Sequence, residues 1–134
     1  QVLNKNELIL ENKEIILVNY YGNLPVFLKY SKSVFVGKST IKKLASVGGQ
    51  NPIEAAKLGC KIYHGPFVYN FKEIYEILYK NKISKQINSS AEMVQNLQND
   101  LKEIKKSEPK FIYKLNDMGQ KILNDTLQKI NNFI

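Results

Sequence analysis

Arginine and tryptophan are absent from these 134 residues, and cysteine and histidine occur once each, as Cys60 and His64. A single cysteine excludes an internal disulfide and any cysteine-built metal cluster. With one imidazole to accompany it, no zinc site is expected, and no metal or cofactor is assigned. The missing arginines remove the planar forks with which nucleic-acid readers grip base edges and phosphates, so a nucleic-acid partner is not expected either. No apolar run is long enough to span a bilayer, and Gln1–Leu10 carries no signal-peptide pattern. A reducing, cytoplasmic setting fits the lone thiol. Acidic residues are also missing over one long interval: none falls between Glu14 and Glu54, where Lys29, Lys32, Lys38, Lys42 and Lys43 all stand.

What remains is the composition of one soluble globular domain, with 43% hydrophobic and 24% charged residues. All basic side chains are lysines, and the net charge is +8. An AT-rich genome produces such a bias as readily as selection for a partner, and a solvated basic surface is the plain reading of most of these lysines.

The pattern along the chain alternates strand and helix. Glu14–Asn19 reads as a buried parallel strand ending at Tyr20-Tyr21-Gly22, and Asn23–Tyr30 as a short helix with Pro25 near its start. Ser33–Val36 reads as a second buried strand, and Lys61–His64 as a third. A helix from Pro52 stops near Gly59, and Phe71–Tyr79 forms another, with Phe71, Ile74, Tyr75 and Leu78 on one face. Ile83–Ile87 reads as a brief edge strand. A helix from Ser90 to about Lys106 carries Met93, Leu97, Leu101 and Ile104. A last helix from about Leu115 carries Met118, Ile122, Leu127, Ile130 and Ile134, a stripe suited to packing on the sheet or on a further domain. This order predicts an α/β domain, a Rossmann-like parallel sheet flanked by helices, with ligands bound at the carboxyl ends of the strands. The loops there are Asn19–Gly22, Gly37–Gly49 and Gly65–Asn70.

The most specific stretch is Gly48-Gly49-Gln50-Asn51-Pro52-Ile53-Glu54. Glycines allow close backbone approach, Asn51 suits an N-cap, and proline fits the first helical position. Unbonded N–H groups at such a start favour an anion such as phosphate. Glu54 falls in the first turn, where an ionised carboxylate accepts hydrogen bonds from sugar hydroxyls. The combination reads as a nucleotide-sugar site; its bland rival is a tight turn with an ordinary cap. Val36-Gly37-Lys38-Ser39-Thr40 is not a P-loop, because the first glycine of that motif falls on Lys32. Lys38 and its neighbouring hydroxyls remain phosphate contacts in reserve. His64 reads as a strand-end side chain packed near Gly65, and Cys60 as a small buried residue. Tyr20, Tyr21 and Tyr69 suit base stacking or rim packing alike. No paired carboxylates and no Ser/His/Asp set occur.

The run Phe35-Val-Gly, then Gly48-Gly-Gln-Asn-Pro-Ile-Glu-Ala-Ala-Lys-Leu-Gly, then Gly65-Pro-Phe-Val-Tyr-Asn-Phe-Lys-Glu-Ile resembles the 3-deoxy-D-manno-octulosonic acid (Kdo) transferases. Members typically show Phe-Val-Gly-Gly-Ser, Gly-Gly-His-Asn-Pro-Leu-Glu and Gly-Pro-His-x-x-Asn-Phe. This chain has Lys38 for the second glycine of the first motif and Gln50 for the histidine of the second. It has Asn19-Tyr-Tyr-Gly-Asn-Leu24 where the family tends to Asp-Thr-Met-Gly-Glu-Leu. The resemblance spans roughly Glu14–Leu101. It implies the C-terminal, donor-binding half of a GT-B glycosyltransferase over residues 1–134, the N-terminal acceptor domain being absent. It further implies a CMP-Kdo donor, a lipid A precursor as acceptor, and lipopolysaccharide biosynthesis at the cytoplasmic face of the bacterial inner membrane. Carried over by position, Gly48, Gly49 and Asn51 face the donor's phosphate or carboxylate, with Gln50 beside them. Glu54 takes the ribose hydroxyls, Gly22 lies by the cytosine, and Lys38, Ser39 and Asn70 are secondary contacts. The general base is expected outside this chain, so the chain alone is expected to bind and not to catalyse. Another GT-B donor domain, or a lysine-rich α/β module for nucleic acid or anionic lipid, are the competing readings.

Overall fold

In the computed structural model, residues 2–3, 14–19, 22–102 and 110–132 are described. Three parallel strands form the central sheet in the order β3 (Ser33–Val36), β4 (Lys61–His64) and β5 (Ser84–Gln86). The register sets Ser33 beside Lys61 and Ile62 beside Ser84, so all three strands start and finish nearly level. Helices α1 (Leu24–Tyr30), α2 (Ile53–Lys57) and α3 (Lys72–Lys80) precede successive strands, and α4 (Ser90–Lys102) follows the last. The expected Rossmann-like α/β arrangement is thus present: a parallel sheet with flanking helices and crossover connections.

Side-chain alternation on β4 separates the two faces. Ile62 packs with Leu28 of α1, Ala55 and Ala56 of α2, and Tyr75 and Leu78 of α3, in one apolar core that also holds Cys60. Tyr63 points the other way, to α4, where its hydroxyl meets Asp100. Small alanines let α2 sit close to the sheet, and buried Cys60 directs its thiol at the carbonyls of Leu28 and Ser31.

Two expectations need correction. The apolar run Glu14–Asn19 is not a buried strand of this sheet. Only Leu17–Val18 is extended (β2); both residues are exposed, and they pair with Val2–Leu3 (β1) in a separate two-stranded sheet. Second, β3 is an edge strand and only partly buried, with Phe35 exposed. The final helix, α5 (Lys110–Asn131), touches α2, and its Leu123, Leu127 and Ile130 are about half exposed. The side chains of Leu115, Met118 and Ile122, and all of Ile104 and Ile134, lie outside the described residues.

Two helices end in the same way with different residues. After α2, Gly59 takes φ +76° while its N–H bonds Ala56 O and the N–H of Cys60 bonds Ala55 O. After α3, Lys82 takes φ +60°, with its N–H on Tyr79 O and the N–H of Ile83 on Leu78 O. This paired closure calls for a left-handed residue, and glycine adopts it without a Cβ clash. The left-handed state costs a side-chain-bearing residue roughly 1–2 kcal/mol. Glycine's extra unfolded-state freedom takes back about 0.4–1 kcal/mol. Lys82→Gly is therefore expected to raise stability by about 0.5–1 kcal/mol, read as a higher urea midpoint at unchanged slope.

Candidate functional site

The loops that leave the carboxyl ends of β3 and β4 are stitched to one another. The first turns at Gly37–Thr40, where Lys38 takes φ +64°, and it continues through a 3-10 turn at Lys42–Leu44. Lys38 stands where the family motif has glycine, and the backbone there keeps a glycine-like conformation. Ser39 is fully buried. Its hydroxyl donates to Val36 O at 2.6 Å and accepts from the N–H of Gly65 at 2.8 Å, while its carbonyl accepts from the N–H of Phe67 at 2.9 Å. A Cβ on Gly65 would lie 2.2 Å from Ser39 O, so that position admits only glycine. Ser39 therefore joins two loops and is not presented to a ligand; this corrects its expected role as a donor contact.

The diglycine is buried beneath the loop that follows β4. A Cβ on Gly48, which takes φ +77°, would fall 2.2 Å from Asn70 Oδ1, and one on Gly49 would fall 3.0 Å from Val68 Cγ1. The Asn70 side-chain amide donates to Gly49 O at 2.9 Å. The close approach that these glycines permit is thus made by the protein's own loop. Gln50, Asn51 and Glu54, by contrast, are exposed. Asn51 Oδ1 accepts from the N–H of Ile53 at 2.9 Å, but the cap position falls on Pro52 and α2 starts at Ile53, one residue later than expected. That helix has only five residues, so its dipole is small and the loop amides carry the electrostatics.

Those amides are the informative feature. The N–H of Gly48 bonds Leu44 O, but those of Gly49, Gln50 and Asn51 have no acceptor among the described residues. The carbonyls of Gly49 and Gln50 are held from behind, by Asn70 and by the hydroxyl of Tyr75. Gly49 is buried, whereas Gln50 and Asn51 are exposed, so two successive unpaired donors on a braced backbone are open to an anion. The Glu54 carboxylate stands nearby in the first turn of α2 with no partner among the described residues. Gly22 takes φ +108° just before α1 and is exposed; Tyr20 and Tyr21 lie outside the described residues. Tyr69 is exposed and its hydroxyl donates to Ser46 O.

His64 is a packing residue, as the sequence suggests. It is 5% exposed, its ring lies 4.3 Å from that of Tyr75, and Nδ1 meets Gly65 O at 2.7 Å. Burial lowers its pKa, against the opposing bond to Gly65, and holds the ring neutral. The unfolded chain takes up this proton near pH 6.5 while the native state resists it, so stability falls as pH drops below that value. His64→Gln is expected to flatten the stability profile between about pH 5 and 7, measured by urea denaturation at each pH.

One cluster escaped the sequence reading. Asp100 is 5% exposed on α4, and its carboxylate accepts from Ser33 Oγ at 2.5 Å, Tyr63 OH at 2.6 Å and Lys61 Nζ at 2.7 Å. Ser, Lys, Tyr and Asp together look catalytic. Ser33 and Lys61, however, open their strands, so the cluster lies at the sheet end opposite the diglycine, and its carboxylate is fully engaged. It fastens α4 to the sheet. The signal was available, since Asp100 falls three residues after Leu97 and seven after Met93, on the helix's inner stripe.

No family model matches the chain. A 3-deoxy-D-manno-octulosonic acid transferase of Haemophilus influenzae is 32% identical over 90 residues, which is 67% of this chain and 20% of that relative. The chain is related to the Kdo transferases, and the match spans about a fifth of that relative's length.

Proposed function

We propose that this chain is the donor-binding domain of a glycosyltransferase, a Kdo transferase that moves Kdo from CMP-Kdo to a lipid A precursor in lipopolysaccharide biosynthesis. The observation that carries this reading is the pair of open, unpaired N–H groups on Gln50 and Asn51 beside the exposed Glu54, within a chain related to the Kdo transferases. In this reading the two amides take the phosphate, Glu54 takes the ribose hydroxyls, and Lys38 adds charge at the rim. Gly48, Ser39 and Asn70 hold the loops in place, and Gly22 lies toward the base.

In the reaction, an acceptor hydroxyl attacks the anomeric carbon as CMP leaves. Negative charge grows on the departing phosphate, and preorganised amides stabilise it without reorganising. The base that takes the acceptor's proton lies outside this chain, as does the acceptor site, so the chain alone binds and does not turn over. Residues 1–134 form one domain of a GT-B pair, and the half-exposed apolar residues of α5 are available to the other. The whole protein works at the cytoplasmic face of the inner membrane; among the described residues no helix is long and apolar enough to cross one.

Titration by NMR with CMP, UMP and ADP tests the reading. Shifts confined to the loops after β3 and β4 and the start of α2, strongest with CMP, are expected. A stronger response to UMP or ADP would assign another nucleotide sugar, and none to any of the three would end the proposal.

A further inference from the structure

Packing accounts for the ring of His64 but for only one of its two nitrogens. Nδ1 lies 2.7 Å from Gly65 O, a carbonyl that can only accept, so in the neutral ring the proton sits on Nδ1. Nε2 is then a bare acceptor, and it has no partner among the described residues. The side chain is 5% exposed, yet no described side-chain nitrogen or oxygen is both buried and unpartnered. Nε2 therefore opens into a space that solvent reaches. A polar atom so nearly enclosed, and left unmatched by the protein, asks for an occupant.

That space is a cavity of about 400 Å³ at the carboxyl end of the sheet, between α3 and the ends of β4 and β5. Lys72, Tyr75, Glu76 and Tyr79 reach it from α3 at spacings i, i+3, i+4 and i+7, and Gln86 reaches it from the end of β5. The stripe on α3 runs about 10 Å along the helix axis.

The polar atoms around the cavity are biased toward acceptors. Gln86 donates its side-chain amide to Asn88 Oδ1, which leaves its own Oε1 open, and the Glu76 carboxylate has no partner among the described residues. With His64 Nε2 these make three acceptors, against one ammonium donor on Lys72 and a Tyr79 hydroxyl that serves either way. A matching occupant is rich in N–H donors. Lys72 opposes a cation, which leaves a neutral ring bearing an amino group and a ring nitrogen to accept from that lysine. Tyr75 and Tyr79 supply aromatic surface, so the ring is flat. A stripe two helical turns long suits two fused rings better than one.

We infer that this cavity is a binding site for an amino-substituted purine, its exocyclic amine donating to His64 Nε2 and its rings lying against Tyr79. The site is a neighbour of the nucleotide loops and not a part of them. Val68 borders it and also abuts Gly49, and Tyr75 forms its wall while its hydroxyl holds Gln50 O. The open amides of Gln50 and Asn51 and the Glu54 carboxylate do not line it.

Titration with adenosine, purine riboside and CMP, read by NMR, tests the site. The chain's single histidine gives one pair of ring-nitrogen resonances, so Nε2 is followed without a substitution. Adenosine is expected to move the Nε2 resonance and the amides of Lys72, Glu76, Tyr79 and Gln86. Purine riboside has the same rings without the amine and should bind about tenfold more weakly. Tyr79→Ala, at a position 66% exposed and checked for folding by circular dichroism, should lose about tenfold for adenosine and nothing for CMP. An unmoved Nε2 resonance at saturation, equal affinity for purine riboside, or adenosine shifts confined to residues 48–54 would each overturn the inference, as would no binding of adenosine. Residue-resolved shifts keep the two sites apart. CMP shifts at Gln50, Asn51 and Glu54 answer for the donor site, and adenosine shifts at Lys72 and Gln86 answer for the cavity, so either proposal can fail while the other stands.

Discussion

Asp100→Ala is expected to lower folding stability by about 3 kcal/mol. The carboxylate is buried and accepts three hydrogen bonds from three different side chains. Truncation removes the bonds to it from the hydroxyl of Tyr63, which is fully buried, and from that of Ser33, which is partly so. Lys61 is 36% exposed and can turn its ammonium to water, which keeps the cost nearer 3 kcal/mol than the upper end for buried pairs, about 5 kcal/mol. Asp100→Asn keeps an acceptor for the hydroxyls but loses the charge facing Lys61, and about half the loss is expected. Lys61→Met should cost less than either, since both hydroxyl bonds survive. Urea denaturation of the three variants gives the order, and a Lys61→Met loss equal to that of Asp100→Ala would refute it.

The same cluster sets an acid limit. Burial pushes the pKa of Asp100 up, but the bonds from Lys61, Ser33 and Tyr63 outweigh it, and the net pKa is below that of an ordinary carboxylate. A depressed carboxylate stabilises the fold at pH above its unfolded value, near 3.9, and that contribution is lost as pH falls through the folded value. Stability is therefore expected to fall in two stages, one below pH 6.5 from His64 and one below about pH 4 that Asp100→Asn removes.

Local pattern went furthest where neighbours in sequence decide the outcome. β3 and β4 run over the residues read for them, and α1 ends where expected, because β-branched runs bounded by glycine or lysine and a proline near a helix start are local signals. The run Ile15-Ile16-Leu17-Val18 shows the limit of that logic. Its composition states a preference for burial, but what a strand pairs with is non-local, and here the partner is Val2–Leu3. Ser39 shows a second limit. A hydroxyl in a lysine-rich loop looks like a ligand contact until Gly65, 26 residues on, is found donating to it. Asp100 shows a third. A carboxylate on an apolar stripe looks like a fault until its donors arrive from positions 33, 61 and 63. In each case the deciding partner lies outside the reach of periodicity.

Glu54→Ala is expected to weaken CMP binding by about 1–3 kcal/mol, roughly 5- to 150-fold, with the fold intact. The carboxylate has no partner among the described residues, so its removal strands no protein donor there. A first-turn glutamate adds only about 0.3–1 kcal/mol to a helix. Glu73→Ala, an exposed first-turn change on α3, is the control and should leave affinity unaltered. Comparing CMP with cytidine separates the two halves of the site. If Glu54 holds ribose hydroxyls while the amides of Gln50 and Asn51 hold phosphate, the variant loses the same factor for both ligands. The preference for CMP over cytidine then survives, because groups without shared partners act additively. A variant that loses that preference would place Glu54 on the phosphate side, against its charge. Unchanged affinity for both ligands would remove Glu54 from the site and leave the two amides as its only support.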